Sequence, residues 1–131
     1  MIHHLPAIVY YEDTDFTGVV YHANYLKYFE RAREHLLGID EQRRLWSEDG
    51  VGFAVYRLSM RFRAPAVHGD TLDIRTTVRA ETDYRLVFQH AAWRGDEARA
   101  LVEAEVELVA IDRQGRLVIL PAGVRARLAA G

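Results

Sequence analysis

Tyr11-Glu12-Asp13-Thr14-Asp15-Phe16-Thr17-Gly18-Val19-Val20-Tyr21-His22-Ala23-Asn24-Tyr25-Leu26-Lys27-Tyr28-Phe29-Glu30-Arg31-Ala32-Arg33 is the stretch on which the reading of this chain turns. It reads as the end of a strand, a Gly-containing turn and the start of a long amphipathic helix. One carboxylate, Asp15, precedes His22 by seven residues, and His22 stands where the helix begins. A helix N-terminus carries unpaired backbone N–H groups and a partial positive charge. A carboxylate beside such donors can attack, or activate water to attack, a carbonyl whose oxygen the donors hold.

Outward from that stretch the pattern is regular. Residues 5–12 predict a strand, with Pro6 near its start where proline is tolerated. Residues 13–22 predict a turn. Residues 23–37 predict a helix, with apolar or aromatic groups at 25, 28, 29, 32 and 36, charge on the other side, and Gly38 as C-cap. Residues 40–48 predict a second short helix capped by Asp40. Alternation then predicts strands over 51–63, 70–80, 84–94 and 98–111. In the first of these, Ala54, Tyr56, Leu58, Met60 and Phe62 share one face; in the last, Glu103, Glu105 and Glu107 oppose Val102, Ala104, Val106, Leu108 and Ala110. Residues 95–97 and 112–116 read as hairpin turns, 117–120 as a last short strand, and 121–128 as a C-terminal helix opened by Pro121. One main helix and a run of antiparallel strands predict an α+β fold, a curved sheet wrapped around that helix. Such a sheet leaves edges to cover, so pairing with a second copy is expected.

Composition sets the outer limits. A length of 131 residues predicts one domain, 1–131. The net charge of −2 and the lack of a basic tract argue against nucleic acid as a partner. Only Lys27 of the 17 basic residues is a lysine, an arginine bias read as a whole-chain property. The absence of cysteine excludes disulfides, thiolate nucleophiles and cysteine-ligated zinc, and fits a reducing compartment. The N-terminus lacks the features of a signal peptide, and no apolar run approaches the ~18 residues that span a membrane. A cytoplasmic protein without membrane insertion is the expectation.

The run Asp15-Phe16-Thr17-Gly18-Val19-Val20-Tyr21-His22-Ala23-Asn24-Tyr25, followed by Phe29-Glu30-Arg31-Ala32-Arg33, resembles the signature of the hotdog-fold acyl-CoA thioesterases. The match is to the 4-hydroxybenzoyl-CoA thioesterase family, in the branch associated with the Tol–Pal gene cluster. The order of elements agrees across nearly the whole chain, including the turn from Ala64 to Asp70. The resemblance implies a hotdog fold, a dimer whose sheets join edge to edge, often a tetramer, and active sites at the dimer interface. It implies hydrolysis of an acyl-CoA thioester with no metal and no organic cofactor. By position, Asp15 would be the catalytic carboxylate and the His22 backbone N–H would polarise the carbonyl. The Tyr11 and His22 side chains are implicated in the same branch. Gly18, Val19 and Tyr21 of the intervening turn would belong to the substrate site.

Beside the resemblance stand plainer readings. Asp13 and Asp15 are residue types common in turns, where they bond backbone N–H groups. Asp13-x-Asp15 lacks the further ligands of a metal site. Tyr25, Tyr28 and Phe29 fit a core by spacing. Glu30, Arg31 and Arg33 fit a solvated face or an intersubunit salt bridge. His3, His4, His35, His68 and His90 show no ligand or triad spacing. Arg61, Arg63 and Arg85 are candidates for the CoA phosphates, through forked, charge-assisted contacts. Two other functions compete with hydrolysis: a non-catalytic acyl-CoA or acyl-carrier-protein binding module, and a hotdog-fold dehydratase acting on a 3-hydroxyacyl thioester. Whether Asp15 attacks directly or as a general base stays open.

Overall fold

Five antiparallel strands form one sheet in the computed structural model, which describes residues 1–130. The strands are β1 (His3–Ile8), β2 (Gly52–Phe62), β3 (Thr71–Ala80), β4 (Arg85–Arg94) and β5 (Val102–Ile111), in the spatial order β1-β3-β4-β5-β2. The helices are α1 (Asn24–Leu37), α2 (Ile39–Arg44) and α3 (Ala122–Ala130). The sheet packs one face on α1, the arrangement of a hotdog fold. Tyr25, Tyr28, Phe29 and Ala32 of α1 meet Leu72, Ile74, Ala92, Val102 and Ala104 of the sheet. A second cluster joins Leu37 and Leu45 to Leu86, Phe88, Val106, Leu108 and, from α3, Val124. Alternation explains the sheet's contribution: residues two apart on a strand share a face.

Several element boundaries differ from the sequence reading. The first strand stops at Ile8, and Tyr11–Asp13 form a single 3₁₀ turn, so Tyr11 and Asp15 do not share one face of an extended segment. Asp13 drives this: its carboxylate accepts the Tyr10 N–H at 2.9 Å and curls the chain. Asp40 lies inside α2 and is not its cap; Gly38, at φ 91°, both ends α1 and precedes α2. The predicted helix over 40–48 breaks at Leu45 into a wider π-type turn over Leu45–Asp49, closed by Gly50 at φ 66°. Residues 98–101 precede β5 rather than joining it, and 117–120 supply only a bridge between Ile111 and Leu117.

The largest correction concerns β2. Its register against β5 shifts between Val55 and Arg57. A bulge of this kind reverses the alternation. Val51 and Phe53 pack on the core before it, and Met60 packs on the core after it. Val55 and Leu58 both line the cleft between β2 and α1, so Ala54 and Tyr56 do not share the face of Leu58. β2 is also an edge strand, with Val55, Leu58 and Phe62 about half exposed along it.

Candidate active site

The segment 14–20 is a small hairpin. Thr14 pairs with Val20, and the Asp15 N–H donates to the Val19 carbonyl at 2.8 Å. Gly18 closes the turn by donating to the Asp15 carbonyl at 3.0 Å, with φ of 85°. That conformation favours glycine. The hairpin is stitched to the segment before β3: Val20 donates to the Ala66 carbonyl at 2.9 Å, and Val19 bridges Val67. Only Val20 of this hairpin is buried. Its position therefore rests on hydrogen bonds more than on apolar packing.

Asp15 uses one carboxylate oxygen for structure. Oδ1 accepts the Thr17 hydroxyl at 2.7 Å and the Thr17 N–H at 2.8 Å. Oδ2 accepts no hydrogen bond among the described residues. The Thr17 hydroxyl, then the Thr17 N–H, with smaller help from the Val19 amide and the His22 ring, hold the Asp15 pKa below its ordinary value. The carboxylate is thus ionised at neutral pH, with one oxygen unengaged.

The turn that leads into α1 supplies the second component. Tyr21 donates its N–H to Asp13, and Asn24 donates to Tyr21, but the His22 N–H has no hydrogen-bond acceptor among the described residues. A cleft of about 340 Å³ is lined by Asp15, Val19 and His22 on one side and by Phe62, Arg63 and Pro65 on the other. Tyr25, 2 % exposed, adds its ring to the lining. The far wall is fixed by Arg94, which donates to the Pro65 carbonyl at 3.1 Å and to Asp70 at 2.9 Å. Asp70 in turn accepts the Val67 N–H.

The structure brings Asp15, Val19, His22 and Arg63 into this one cleft, and leaves the other candidates outside its lining. Tyr11 is 78 % exposed, with its ring 6.0 Å from His68 and no side-chain bond to Asp15. Tyr21 stacks at a tilt on His22, 4.5 Å between ring centres. Gly18 shapes the hairpin rather than lining the cleft. Arg63 also pairs with Glu103 at 3.3 Å, while Arg61 stands exposed beside it. Arg85 pairs with the buried Glu107 at 3.5 Å. It lies seven residues along β4 from Ala92, whose partner Val102 faces Phe62. That is about 23 Å of strand away from the cleft in the same protomer.

Sequence reasoning assigned no role to Thr17, Phe62 or Pro65. The Asp-x-Thr spacing is the signal that finds Thr17, since a hydroxyl two residues on can reach the carboxylate. Phe62 and Pro65 have no local signal; only the pairing of β2 brings them there. Among the described residues no group of three or more His, Asp or Glu side chains is arranged to hold a metal ion. No helix of the described residues is long and apolar enough to cross a membrane.

Fold and site together define a hotdog-fold protein in which Asp15, an ionised carboxylate residue, and His22, whose amide is unpaired among the described residues, line one cleft. Residues 9–128 match the family model described as the Thioesterase-like superfamily, and the chain belongs to that superfamily. It is similar to the acyl-CoA thioester hydrolase YbgC of Escherichia coli, with 39% identity over 109 residues, covering 82% of this chain and 80% of the relative. It is also 48% identical over 71 residues to the acyl-CoA thioesterase YbgC of Helicobacter pylori, covering 54% of this chain and 52% of that one. Among solved structures, a probable thioesterase from Bartonella henselae superposes with a TM-score of 0.85 at 34% identity, covering 92% of this chain and 100% of that one. A 1,4-dihydroxy-2-naphthoyl-CoA thioesterase from Synechocystis shares the fold, with a TM-score of 0.89 at 23% identity over 98% of this chain and 96% of that one.

Proposed function

We propose that the protein hydrolyses the thioester of an acyl-CoA to the free acid and CoA, with Asp15 as its catalytic carboxylate. One observation carries this reading: the unengaged Oδ2 of Asp15 and the unpaired N–H of His22 belong to residues lining the same cleft. A carbonyl oxygen held by that N–H gains negative charge as the tetrahedral intermediate forms. One such donor contributes about 3–4 kcal/mol of transition-state stabilisation. Asp15 either attacks the carbonyl carbon, giving an anhydride that water opens, or removes a proton from attacking water. Both routes release the CoA thiolate, and we assign its protonation to the His22 ring, which is exposed at the cleft. The relatives named for acyl-CoA hydrolysis support the substrate class.

The assembled form we propose is a homodimer joined along β2, or a dimer of such dimers. Edge strands with exposed apolar side chains favour pairing. Phe62 at the end of β2 lines the cleft, so a partner on that edge would stand beside the site. Of the three arginines only Arg63 lines the cleft, which supports a role for it towards CoA phosphate from its own protomer; Arg85 would serve only a cleft other than its own. A cysteine-free chain fits a cytoplasmic setting. The test is thiol release from short-chain, long-chain and aromatic acyl-CoAs by the wild type and Asp15→Asn. Turnover by the wild type alone is expected; equal turnover by two folded proteins would exclude the role of Asp15.

A further inference from the structure

The two hydrogen bonds that α1 side chains send towards the catalytic hairpin both end on Asp13. Asn24 Nδ2 donates to the Asp13 carbonyl at 2.8 Å, and the Tyr28 hydroxyl donates to the Asp13 carboxylate at 2.9 Å. The same carbonyl accepts the Tyr21 N–H at 2.9 Å, and the same carboxylate oxygen accepts the Tyr10 N–H at 2.9 Å. Asp13 and Tyr21 stand at the two feet of the hairpin that carries Asp15. One residue therefore closes the base of the hairpin and ties that base to the first and second turns of α1.

We propose that Asp13 is a positioning residue, which with Tyr28 sets the separation between the Asp15 carboxylate and the His22 amide. The inference rests on the hydrolytic reading above and adds a residue to it. The hairpin's other links, Val20 to Ala66 and Val19 to Val67, run to the far wall of the cleft. They fix Asp15 relative to that wall, but not relative to α1, which follows directly on the His22 amide. Apolar packing adds only Val20, which joins Tyr25 and Tyr28 in the core, while Phe16 at the hairpin tip is fully exposed. Tyr28 is a firm anchor: it is 2 % exposed and packs edge-on to Tyr25. Burial, then the bond to Asp13, push its phenol well above the ordinary range, so it remains a donor throughout the working pH. Asp13 does not face the cleft and touches no reacting atom in this scheme.

The test compares Asp13→Ala, Asp13→Asn, Tyr28→Phe and the Asp13→Ala/Tyr28→Phe double variant, with butyryl-CoA and benzoyl-CoA as probes. Misplacing a catalytic group by about 1 Å costs up to ~10²-fold. Tyr28→Phe should lower kcat about tenfold with KM within about twofold. Asp13→Asn, which keeps an acceptor, should recover most of the activity lost in Asp13→Ala. The double variant should be no slower than Asp13→Ala, as expected for two residues acting as one unit. Amide hydrogen exchange supplies a readout apart from turnover: Asp15 and Tyr21 N–H groups should exchange at least about tenfold faster in Asp13→Ala, with β4 amides unchanged. Unchanged exchange at the hairpin overturns the proposal, as does a loss of kcat that merely follows the loss of folded protein. A wild type inert towards every acyl-CoA, with faster hairpin exchange in Asp13→Ala, would sink the hydrolytic reading and leave Asp13 as the clamp of the hairpin.

Discussion

The Asp15 hairpin and the seam around His90 are both built from polar side chains, yet they use them in opposite ways. His90 is 3 % exposed and lies between the rings of Phe29, stacked at 4.8 Å, and Phe88, at 5.9 Å. Both of its ring nitrogens are engaged: Nε2 with Arg33 at 3.2 Å and Nδ1 with Thr76 at 2.8 Å. Burial, then the Arg33 charge, push its pKa down to about 3, so the ring is neutral. A guanidinium only donates, so Nε2 accepts and Nδ1–H donates to Thr76. Asp15, by contrast, is ionised, half-buried, and keeps one oxygen unengaged beside a cleft. A polar group whose bonds all end inside the protein specifies structure. One with spare capacity towards a cleft is available for chemistry.

Paired substitutions separate the two regions. The largest effect belongs to the hairpin: Asp15→Asn should cut kcat/KM by about 10²–10⁴-fold, the usual range for a positioned acid–base group, and leave the melting temperature near that of the wild type. Thr76→Val is its counterpart. It strands a buried His90 donor and should cost about 1–3 kcal/mol of stability by denaturant unfolding, with kcat of the folded protein unchanged. A variant of either kind that moved both quantities together would blur the division.

Acid should expose the seam next. His90 binds a proton in the unfolded chain below its ordinary value near 6.5, and in the folded protein only near 3. Over that interval the unfolded state holds more protons, so stability rises with pH. The contribution is complete above about pH 6.5 and is lost as the pH falls towards 3. Melting curves from pH 7 to 5 should therefore decline in the wild type and decline less in His90→Asn. The smallest effect falls on the hairpin. Thr17→Val removes the leading cause of the low Asp15 pKa, so the acid limb of the kcat/KM profile should move to higher pH. An unmoved limb would mean that another group sets it.

How much of this was legible before folding differs between the same two regions. The hairpin carries its signals locally: an acid, a glycine that must adopt positive φ, and a helical period starting at the right distance. The turn, and the nearness of Asp15 and His22 across it, were accordingly readable from Tyr11 to Arg33. The seam has no local signal. Arg33 read as a solvated or intersubunit charge and His90 as a histidine without a role, because they lie 57 positions apart and meet only when β4 passes under α1. The β2 bulge was hidden for a related reason. Ala54 and Tyr56 continue a plausible alternation, and only pairing with β5 shows where it reverses. The first strand reads on to residue 12, but Asp13 captures the Tyr10 amide and ends the extended run early.

The reacting geometry can be seen directly in a crystal of Asp15→Asn grown with benzoyl-CoA, a variant that should bind the thioester and leave it intact. The expected result is a carbonyl oxygen within about 3 Å of the His22 nitrogen, and the carbonyl carbon facing the side chain at position 15. A thioester bound elsewhere, or with its carbonyl turned from that amide, would contradict the account.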